Sequence, residues 1–412
     1  EQLRGMFALA ILDLRLRKLF VVRDRMGIKP LVYYHRNDEF AFGSTVRAVL
    51  PYVPRDARGF AADSIDAFLA HRYIPAPRTI FSHIARLPAG HYASLDLDSG
   101  RLALTRYWQP RPTPHADSLA GAIRESVSLR TVSDRPVGLF LSGGIDSATV
   151  GSVLAEQGHR DIRAFTAGFP DHPLDESAQA ARIAQHLGLA HTVLPIEANI
   201  GDDLETIVAS LDEPFADPSS FPSWYLARAA TQHVKVVLGG DGGDELFAGY
   251  KRYAKHLRQS WRRRFHLPFT PSSPDELPTR SAKLLDELRL PWWQAYSLRF
   301  SGMSPALRRY LQPQHANVAD TYWQKPADTH TPLQQLLDID MENYLPEYIL
   351  RKADLCTMAH GLELRVPLLD HKLYEHVLSM EPGARFTQPP KQALAAACRV
   401  CTELHLFNQP KR

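Results

Sequence analysis

Cysteine is scarce in this sequence, and long apolar runs are missing. Only three of the 412 residues are cysteines, namely Cys356, Cys398 and Cys401. This scarcity excludes a disulfide-stapled scaffold and predicts a reducing, cytoplasmic location. No stretch approaches the ~18–20 apolar residues of a membrane-spanning helix, and residues 1–20 lack the layout of a secretory signal. We therefore expect no association with a membrane.

A strong net charge of either sign is also absent. Lys and Arg total 48 against 45 for Asp and Glu, so no overall basic field points to nucleic acid. One local exception is Lys251–Arg264, which carries seven basic side chains. A membrane or phosphate role stays open for this stretch, although a solvated helix face is the favoured interpretation.

What the sequence does contain is the composition of a globular protein, with 44% hydrophobic and 23% charged residues. Its 412 residues allow two or three domains with full-size cores. The first residue is Glu1 rather than Met, and strand-like sequence begins almost at once. We interpret the sequence as a fragment or a processed chain.

The first hundred residues have the pattern of a β-rich unit. Apolar or aromatic runs separated by turn residues predict short strands at 6–12, 19–23, 31–35 and 39–43. More extended sequence follows at 90–108, and prolines then alternate along Gln109–His115, which is typical of a stiff linker. The predicted organisation is a first domain over 1–108, a linker over 109–116 and a second domain over 117–412.

From residue 117 onward, predicted strands and helices alternate. The strands are expected at Val137–Leu141, 162–167, 191–195 and 234–238, with helices near 117–131, 145–157, 176–187 and 222–232. This alternation implies right-handed crossovers and a parallel sheet covered on both faces, which is a doubly wound α/β fold. Residues 250–412 are predicted to be mainly helical.

The hexapeptide Ser142–Ser147, with sequence SGGIDS, lies directly between a predicted strand and a helix. Its two glycines allow a tight turn and a close approach to a ligand, and the free N–H groups at a helix start favour an anion such as phosphate. Asp146 would repel a phosphate unless a divalent cation stood between them. The loop lacks the lysine of the G-x-x-x-x-G-K-[ST] motif. It resembles instead the pyrophosphate-binding loop of adenylating ATP pyrophosphatases.

A second glycine-rich segment follows the predicted strand at 234–238. Four glycines and three carboxylates fall within Gly239–Glu245, which is more glycine than a plain turn needs, because ordering glycine is entropically costly. Ligands of open parallel sheets bind at the carboxyl ends of the strands, where both loops are expected. A divalent metal shared by Asp146 and Asp244 is therefore our hypothesis.

A third segment interleaves charges with apolar residues along Leu350–Asp354 and Gly361–Asp370. Structural ion pairs and substrate binding are equally good interpretations of it. Cys398 and Cys401 form a C-x-x-C spacing in an Ala-rich stretch that predicts a helix. No second pair completes a zinc site, so two small helix residues are favoured over metal or redox chemistry.

These three segments, in this order and at these separations, resemble the glutamine-hydrolysing asparagine synthetase family. The first domain resembles the later half of the family's glutaminase domain, on the residues Gly5–Ala8, Arg23–Leu31 and Phe40–Phe42. The resemblance spans almost the whole chain. It implies a doubly wound parallel sheet of the ATP pyrophosphatase type with a helical C-terminal half, preceded by a partial α+β N-terminal-nucleophile glutaminase domain.

The resemblance also implies a role for individual residues. The backbone at Leu141, Ala167, Gly239 and Gly240 would hold the nucleotide. The pyrophosphate and its Mg²⁺ would be held by Ser142, Gly143, Gly144, Asp146 and Ser147, with Asp244 as the second metal ligand. Asp241 would help to form an aspartyl-adenylate, Lys411 would neutralise developing charge on the phosphates, and the loop Asp212–Ser219 would line the substrate side.

The chain departs from the family's pattern at its start. The family hydrolyses glutamine with an N-terminal cysteine whose own α-amino group acts as the base, whereas residue 1 here is Glu1 and the first cysteine is Cys356. We expect roughly another hundred residues ahead of Glu1, beginning Met-Cys. Gly239 stands where a serine is usual, and the chain stops one residue after Lys411, so a cut at the C-terminus is also expected.

The function that the resemblance implies is synthesis of asparagine from aspartate, ATP and glutamine-derived ammonia, through a β-aspartyl-AMP intermediate and with release of AMP and pyrophosphate. An alternative is that the chain acts on another carboxylate substrate. Relatives of the family make sugar-acid amides or close lactam and peptide rings. A non-catalytic nucleotide-sensing domain and a transfer-RNA thiolating enzyme are disfavoured alternatives. The sequence does not decide the oligomeric state, and a homodimer is left open.

Overall fold

The computed structural model describes residues 2–115, 118–169, 172–173, 175–261, 287–288, 290–300, 302–314, 323, 326–328 and 330–406. Lys411, the three arginines at 262–264 and the junction at 116–117 lie outside these residues. Within the described part of the chain, no helix combines the length and the apolarity that crossing a bilayer requires.

The N-terminal unit consists of two antiparallel sheets, which confirms the predicted short strands. One sheet has the strand order β1-β2-β6-β7 and the other has the order β4-β3-β5. The strands are β1 (Ala8–Asp13), β2 (Lys18–Arg23), β3 (Val32–Arg36), β4 (Glu39–Gly43), β5 (Ile84–Arg86), β6 (His91–Asp96) and β7 (Leu102–Arg106). Two helices of this unit were not predicted, α1 (Val46–Val49) and α2 (Ala62–His71).

The C-terminal unit is built on a five-stranded, fully parallel sheet with the order β10-β9-β8-β11-β12. Its strands are β8 (Val137–Phe140), β9 (Arg163–Gly168), β10 (His191–Pro195), β11 (Val236–Leu238) and β12 (Glu363–Arg365). The first four confirm the prediction. The edge strand β12 was missed, because three residues inside a mainly helical region carry too little periodicity to mark a strand.

Helices surround this sheet, and the residues between the layers are fully buried, as for Leu139, Phe165 and Val237. The helices up to the middle of the unit are α3 (Leu119–Thr131), α4 (Ile145–Glu156), α5 (Ser177–Leu187), α6 (Ile200–Ser210), α7 (Ser220–Ala230), α8 (Gly243–Leu246) and α9 (Lys251–Leu257). Those that follow are α10 (Pro305–Leu311), α11 (Pro332–Ile339), a π-helix (Asp340–Leu350), α12 (Arg351–Met358), α13 (His371–Ser379), α14 (Pro382–Arg385), α15 (Gln392–Ala396) and α16 (Arg399–Glu403).

The basic stretch that begins at Lys251 is only partly the solvated helix face that we favoured. Lys251 and Lys255 on α9 are exposed. Arg252, in contrast, donates to Asp340 Oδ2 at 2.6 Å and lies 3.8 Å from the centroid of the Tyr250 ring. The interpretation was therefore wrong for Arg252, whose charge is satisfied inside the fold.

A buried ion network joins the two units, and we call its five members the interface network. Arg23 and Arg86, from β2 and β5, bind Glu347 of the π-helix at 2.9 and 3.1 Å. Glu213 pairs with Arg86 and accepts a second bond, at 2.6 Å, from Arg351 of α12. At least 95% of each of the five side chains is removed from solvent.

Candidate active site

The two predicted glycine loops meet at the carboxyl ends of β8 and β11. The first runs from Ser142 into α4, and the second runs from Gly239 into α8. A Cβ atom on Gly240 would lie 2.6 Å from the Ser147 backbone nitrogen, closer than carbon atoms can pack. Glycine at position 240 is therefore what allows the second loop to contact the first.

The first three backbone N–H groups of the first loop, at Ser142, Gly143 and Gly144, donate to side-chain oxygens. The Ser147 hydroxyl accepts from the Ser142 backbone N–H at 3.0 Å and lies 2.9 Å from the Ser142 hydroxyl. The backbone N–H of Gly143 donates to the Glu176 carboxylate at 3.1 Å. A negatively charged carboxylate oxygen therefore already binds a backbone N–H group of this loop. A turn that binds phosphate ahead of a helix is expected to attract anionic oxygens in this way.

Asp146 and Asp244 converge on one cation, the ammonium group of Lys391. Lys391 Nζ lies 2.6 Å from Asp146 Oδ2 and 2.5 Å from Asp244 Oδ1. Burial alone would lower the pKa of Lys391, but the two neighbouring carboxylates outweigh burial, and the pKa is raised above its usual range. The two acids are thus close enough to share one positive charge.

Further glycines leave room for these carboxylates. A Cβ on Gly243 would fall 2.3 Å from Asp146 Oδ1, and a Cβ on Gly249 would fall 2.0 Å from Asp244 Oδ1. The same added atom on Gly249 would meet Lys391 Cε at 2.2 Å. The glycine content of this region, which no ordinary turn would need, therefore follows from the close packing around the acid pair.

A third acid, Glu245, follows Asp244 on α8. Burial raises its pKa to about 7, and the charge of the adjacent Asp244 acts in the same direction. The Tyr250 hydroxyl donates to Glu245 at 2.6 Å and partly offsets this rise. Sequence reasoning did not assign Glu245 a role of its own.

A cavity of about 1090 Å³ opens at the meeting point of the loops. Lys411 lies outside the described part of the chain. The other residues predicted to bind nucleotide, pyrophosphate, metal or aspartyl-adenylate line this cavity, namely Leu141, Ser142, Gly143, Gly144, Asp146, Ser147, Ala167, Gly239, Gly240, Asp241 and Asp244. Of the loop Asp212–Ser219, expected to line the substrate side, Ser219 lines the cavity, whereas Glu213 belongs to the interface network.

The structure separates the residues of the third segment by location. Arg351 belongs to the interface network, and Asp354 pairs with Lys29 of the N-terminal unit at 2.8 Å. Lys352 lines the cavity instead, where its ammonium group donates to Ser219 Oγ at 2.9 Å. Structural pairing and a place in the site therefore both occur, on adjacent residues of one helix.

Sequence reasoning missed Lys391 and Glu176. Lys391 is one basic residue among 48, and nothing in its neighbourhood except two preceding prolines distinguishes it. Glu176 comes just ahead of α5, where a negative charge is common because it is favoured by the helix dipole. Both residues reach the site only through the tertiary fold, so no local pattern could have identified them.

The comparisons with known proteins agree with this architecture. A family model described as asparagine synthase matches residues 118–412, and one described as a glutamine amidotransferase domain matches residues 1–108. A Mycobacterium bovis protein, named as an asparagine synthetase of the glutamine-hydrolysing type, is 33% identical over 100% of this chain and 67% of its own length. Asparagine synthetase 1 of Bacillus subtilis is 29% identical with the same coverage.

Among solved structures, the NAD⁺ synthetase from Burkholderia pseudomallei is 18% identical and covers 50% of this chain and 91% of its own, with a TM-score of 0.24. The parallel sheet and its flanking helices define the C-terminal unit as an α/β domain, preceded by a unit that matches a glutamine amidotransferase domain. Because the asparagine synthase model spans most of the sequence, the chain belongs to the asparagine synthase family.

Proposed function

We propose that this chain catalyses the ATP-dependent synthesis of asparagine from aspartate. In the first step, the side-chain carboxylate of aspartate attacks the α-phosphorus of ATP, which gives β-aspartyl-AMP and pyrophosphate. In the second step, ammonia attacks the activated carbonyl and displaces AMP. The site's contribution is positioning and charge neutralisation, as in other phosphorus chemistry.

One observation carries this proposal: residues from separate loops line a single cavity, and two of their carboxylates share a cation position. The N–H groups of the first loop would hold the pyrophosphate part of ATP. The backbone at Leu141, Ala167 and Gly239–Gly240 would contact the nucleoside part. Asp241, on the cavity wall, would face the forming aspartyl-adenylate, and Lys411 stays a predicted phosphate ligand.

Mg²⁺ fits the donor set at the acid pair. Oxygen ligands suit this ion, and it is commonly held by one or two carboxylates together with substrate phosphates. The described residues hold no group of three or more acids, histidines or cysteines that could bind a metal, which fits an ion bound mainly through ATP. Asp146 and Asp244 would hold it, and its charge would offset that of the triphosphate.

The match of residues 1–108 to a glutamine amidotransferase domain points to the nitrogen donor. Ammonia would attack the activated carbonyl, with glutamine as its source in the family's complete enzymes. An ammonium salt supplied in the assay should therefore support asparagine formation.

The direct test measures pyrophosphate release and asparagine formation with ATP, Mg²⁺, aspartate and ammonium. Asp146→Asn and Asp244→Asn should each lower the rate at least about 100-fold, the scale of losing one transition-state electrostatic contact. Asp161→Asn, at an exposed position, is the matched control and should leave the rate unchanged.

Normal rates in both variants would refute the assignment of the acid pair. A panel of other carboxylates in the same assay tests the substrate. If sugar acids or amino-acid analogues release pyrophosphate faster than aspartate does, the chain is a different amide-forming ligase on the same scaffold.

A further inference from the structure

Cys398 and Cys401 take no part in the proposed reaction, yet they lie directly behind the candidate site. Cys398 precedes α16 and Cys401 lies within it, and neither side chain is exposed. The Cys401 backbone N–H donates to the Cys398 carbonyl at 3.2 Å. This bond closes a tight turn, and the ends of such a turn are less than about 7 Å apart at Cα, near the range that a disulfide needs.

The two thiols also contact the first turns of α4. Cys401 Sγ lies 3.8 Å from the Ile145 carbonyl oxygen, and Cys398 Sγ lies 3.8 Å from that of Ala148. Asp146 and Ser147, both residues of the candidate site, stand between these contact points. The sulfur atoms are therefore part of the packing that supports the phosphate-binding end of α4.

The electrostatics of the pair match those of a reactive dithiol. A hydrogen bond from the Cys401 thiol lowers the pKa of Cys398 to about 7 despite the burial of Cys398, and the pKa of Cys401 is raised. Cys398 is thus the thiol that more readily loses its proton to become a thiolate, and Cys401 is the thiol that keeps its proton. Cys356 differs from both, because burial raises the pKa of its thiol to about 12.

We propose that Cys398 and Cys401 are a reversible redox pair, oxidised to an intrachain disulfide by a small disulfide such as glutathione disulfide, and that the oxidised form binds nucleotide more weakly. The Cys398 thiolate attacks the oxidant and releases one glutathione thiolate, leaving a mixed disulfide. Cys401 then loses its proton, attacks the Cys398 sulfur and releases the second glutathione. The two thiols give up two protons and two electrons, and the oxidant takes up both.

The effect on the site follows from bond length. The sulfur atoms of a disulfide are about 2.05 Å apart, so they must move together, and oxidation removes the S–H protons that they donate to the carbonyl groups of Ile145 and Ala148. The first turn of α4 then loses two of its contacts. Access of the oxidant to the buried thiols requires local opening of the short helices α15 and α16, which predicts slow oxidation.

The first test equilibrates the whole chain in glutathione buffers of graded ratio, alkylates the thiols after unfolding, and locates them by peptide mass. The expected result is a peptide containing Cys398 and Cys401 that is two hydrogens lighter and resists alkylation, while Cys356 is alkylated. Cys398→Ser and Cys401→Ser should abolish this species, and Cys356→Ser should retain it. Three alkylated cysteines at every ratio would overturn the redox pair.

The second test measures ATP binding by calorimetry before and after oxidation, and this half of the inference rests on the proposed ATP site. Oxidised wild-type chain should bind at least roughly fivefold more weakly, the lower end of typical coupling between sites, and a dithiol reductant should restore affinity. Cys401→Ser treated identically should not change. Equal affinity in both redox states would overturn the coupling, whereas no ATP binding by the reduced chain would instead refute the proposed function.

Discussion

Two clusters of buried charge in this molecule look alike in composition and differ in setting. The interface network sets three arginines against two glutamates, with at least 95% of each side chain out of contact with solvent. The cluster at the candidate site sets Lys391 against Asp146 and Asp244, beside a cavity of about 1090 Å³. Gly243 and Gly249 make room for the second cluster, where an added Cβ would fall within 2.3 Å of its carboxylates, whereas at the first cluster Gly27 would meet Arg23 at 3.1 Å.

The difference shows how to distinguish a structural ion cluster from a functional one. In the interface network, Arg23 uses its remaining donors on the backbone carbonyls of Lys29, Leu87 and Gly27. Arg86 likewise donates to two backbone carbonyls. Such a network is closed to ligands and holds two units in register. At the site, the Lys391 ammonium group occupies a position that another cation could take, and the cavity lies next to it.

The largest effect on stability is expected from breaking the interface network. Glu347→Ala removes the shared partner of Arg23 and Arg86, and an unpaired buried charge costs about 3–5 kcal/mol in the free energy of unfolding. Glu342→Ala is the control, because Glu342 lies on the same helix in an exposed pair with Arg106 and should cost less than about 1 kcal/mol. Urea unfolding that gives equal losses for both would show that the network contributes nothing special.

A smaller effect is expected from filling space at the site. Gly249→Ala puts a methyl group against Asp244 and Lys391, and overpacking of this kind costs about 1–3 kcal/mol. The rate of pyrophosphate release should fall as well, because the acid pair must shift. In Gly383→Ala the added atom meets nothing within 4 Å, so stability and rate should both be kept. A Gly249→Ala variant as active as this control would contradict the packing argument.

Lowering the pH should change the stability contributed by the interface network and that contributed by Lys391 differently. Burial acts against the charged form of Glu347, but Arg23 and Arg86 outweigh it and lower its pKa, and the pKa of Glu213 is lowered in the same way. The unfolded chain therefore binds more protons, so this stability is complete above pH about 4.3, the ordinary glutamate pKa, and is lost as the pH falls through the folded-state values.

The pH dependence that Lys391 contributes to stability has the opposite sign, because the pKa of Lys391 is raised on folding. Its contribution to stability is complete below pH about 10.4, the ordinary lysine pKa, and is lost only as the pH rises above that range. Urea midpoints measured from pH about 5 down to about 2.5, the range around and below the ordinary glutamate pKa, should fall less steeply for Glu347→Gln than for wild type. Lys251→Met, at an exposed position of α9, is the control and should keep the wild-type acid dependence, and a flattened slope in this control would contradict the assignment.

The smallest effect concerns a contact beside the interface network. Asp212 accepts from the backbone N–H groups of Val46 and Arg47 at 2.6 and 2.9 Å, so a residue of the C-terminal unit caps α1 of the N-terminal unit. Its φ of 70° lies in the left-handed region. Asp212→Ala should cost about 1–2 kcal/mol, from the lost cap and the strained backbone.

Asp212→Gly separates these two contributions, because glycine adopts a positive φ without strain. This variant should lose only the cap and be more stable than Asp212→Ala in the same urea titration. Equal stability of the two variants would show that backbone strain at this position is negligible.

The sequence by itself determined the elements with strong local signals. Alternating apolar strands and helices gave four of the five parallel strands, and the glycine loops at Ser142 and Gly239 identified the edge of the sheet where the site lies. The domain boundaries at 108 and 117 stay predictions. These signals could be recognised because strand periodicity and glycine clusters are local properties of the chain.

Only the tertiary structure decided which residues meet. Lys391 lies 245 positions after Asp146 and yet binds it, and Glu347 reaches Arg23 across 324 positions. The three-residue strand β12 forms because it pairs with the edge of β11. The charges of the third segment divide between the interface network and the cavity, because adjacent residues of α12 point in different directions. Contacts of this range depend on how the layers pack, and a single sequence carries no local record of that packing.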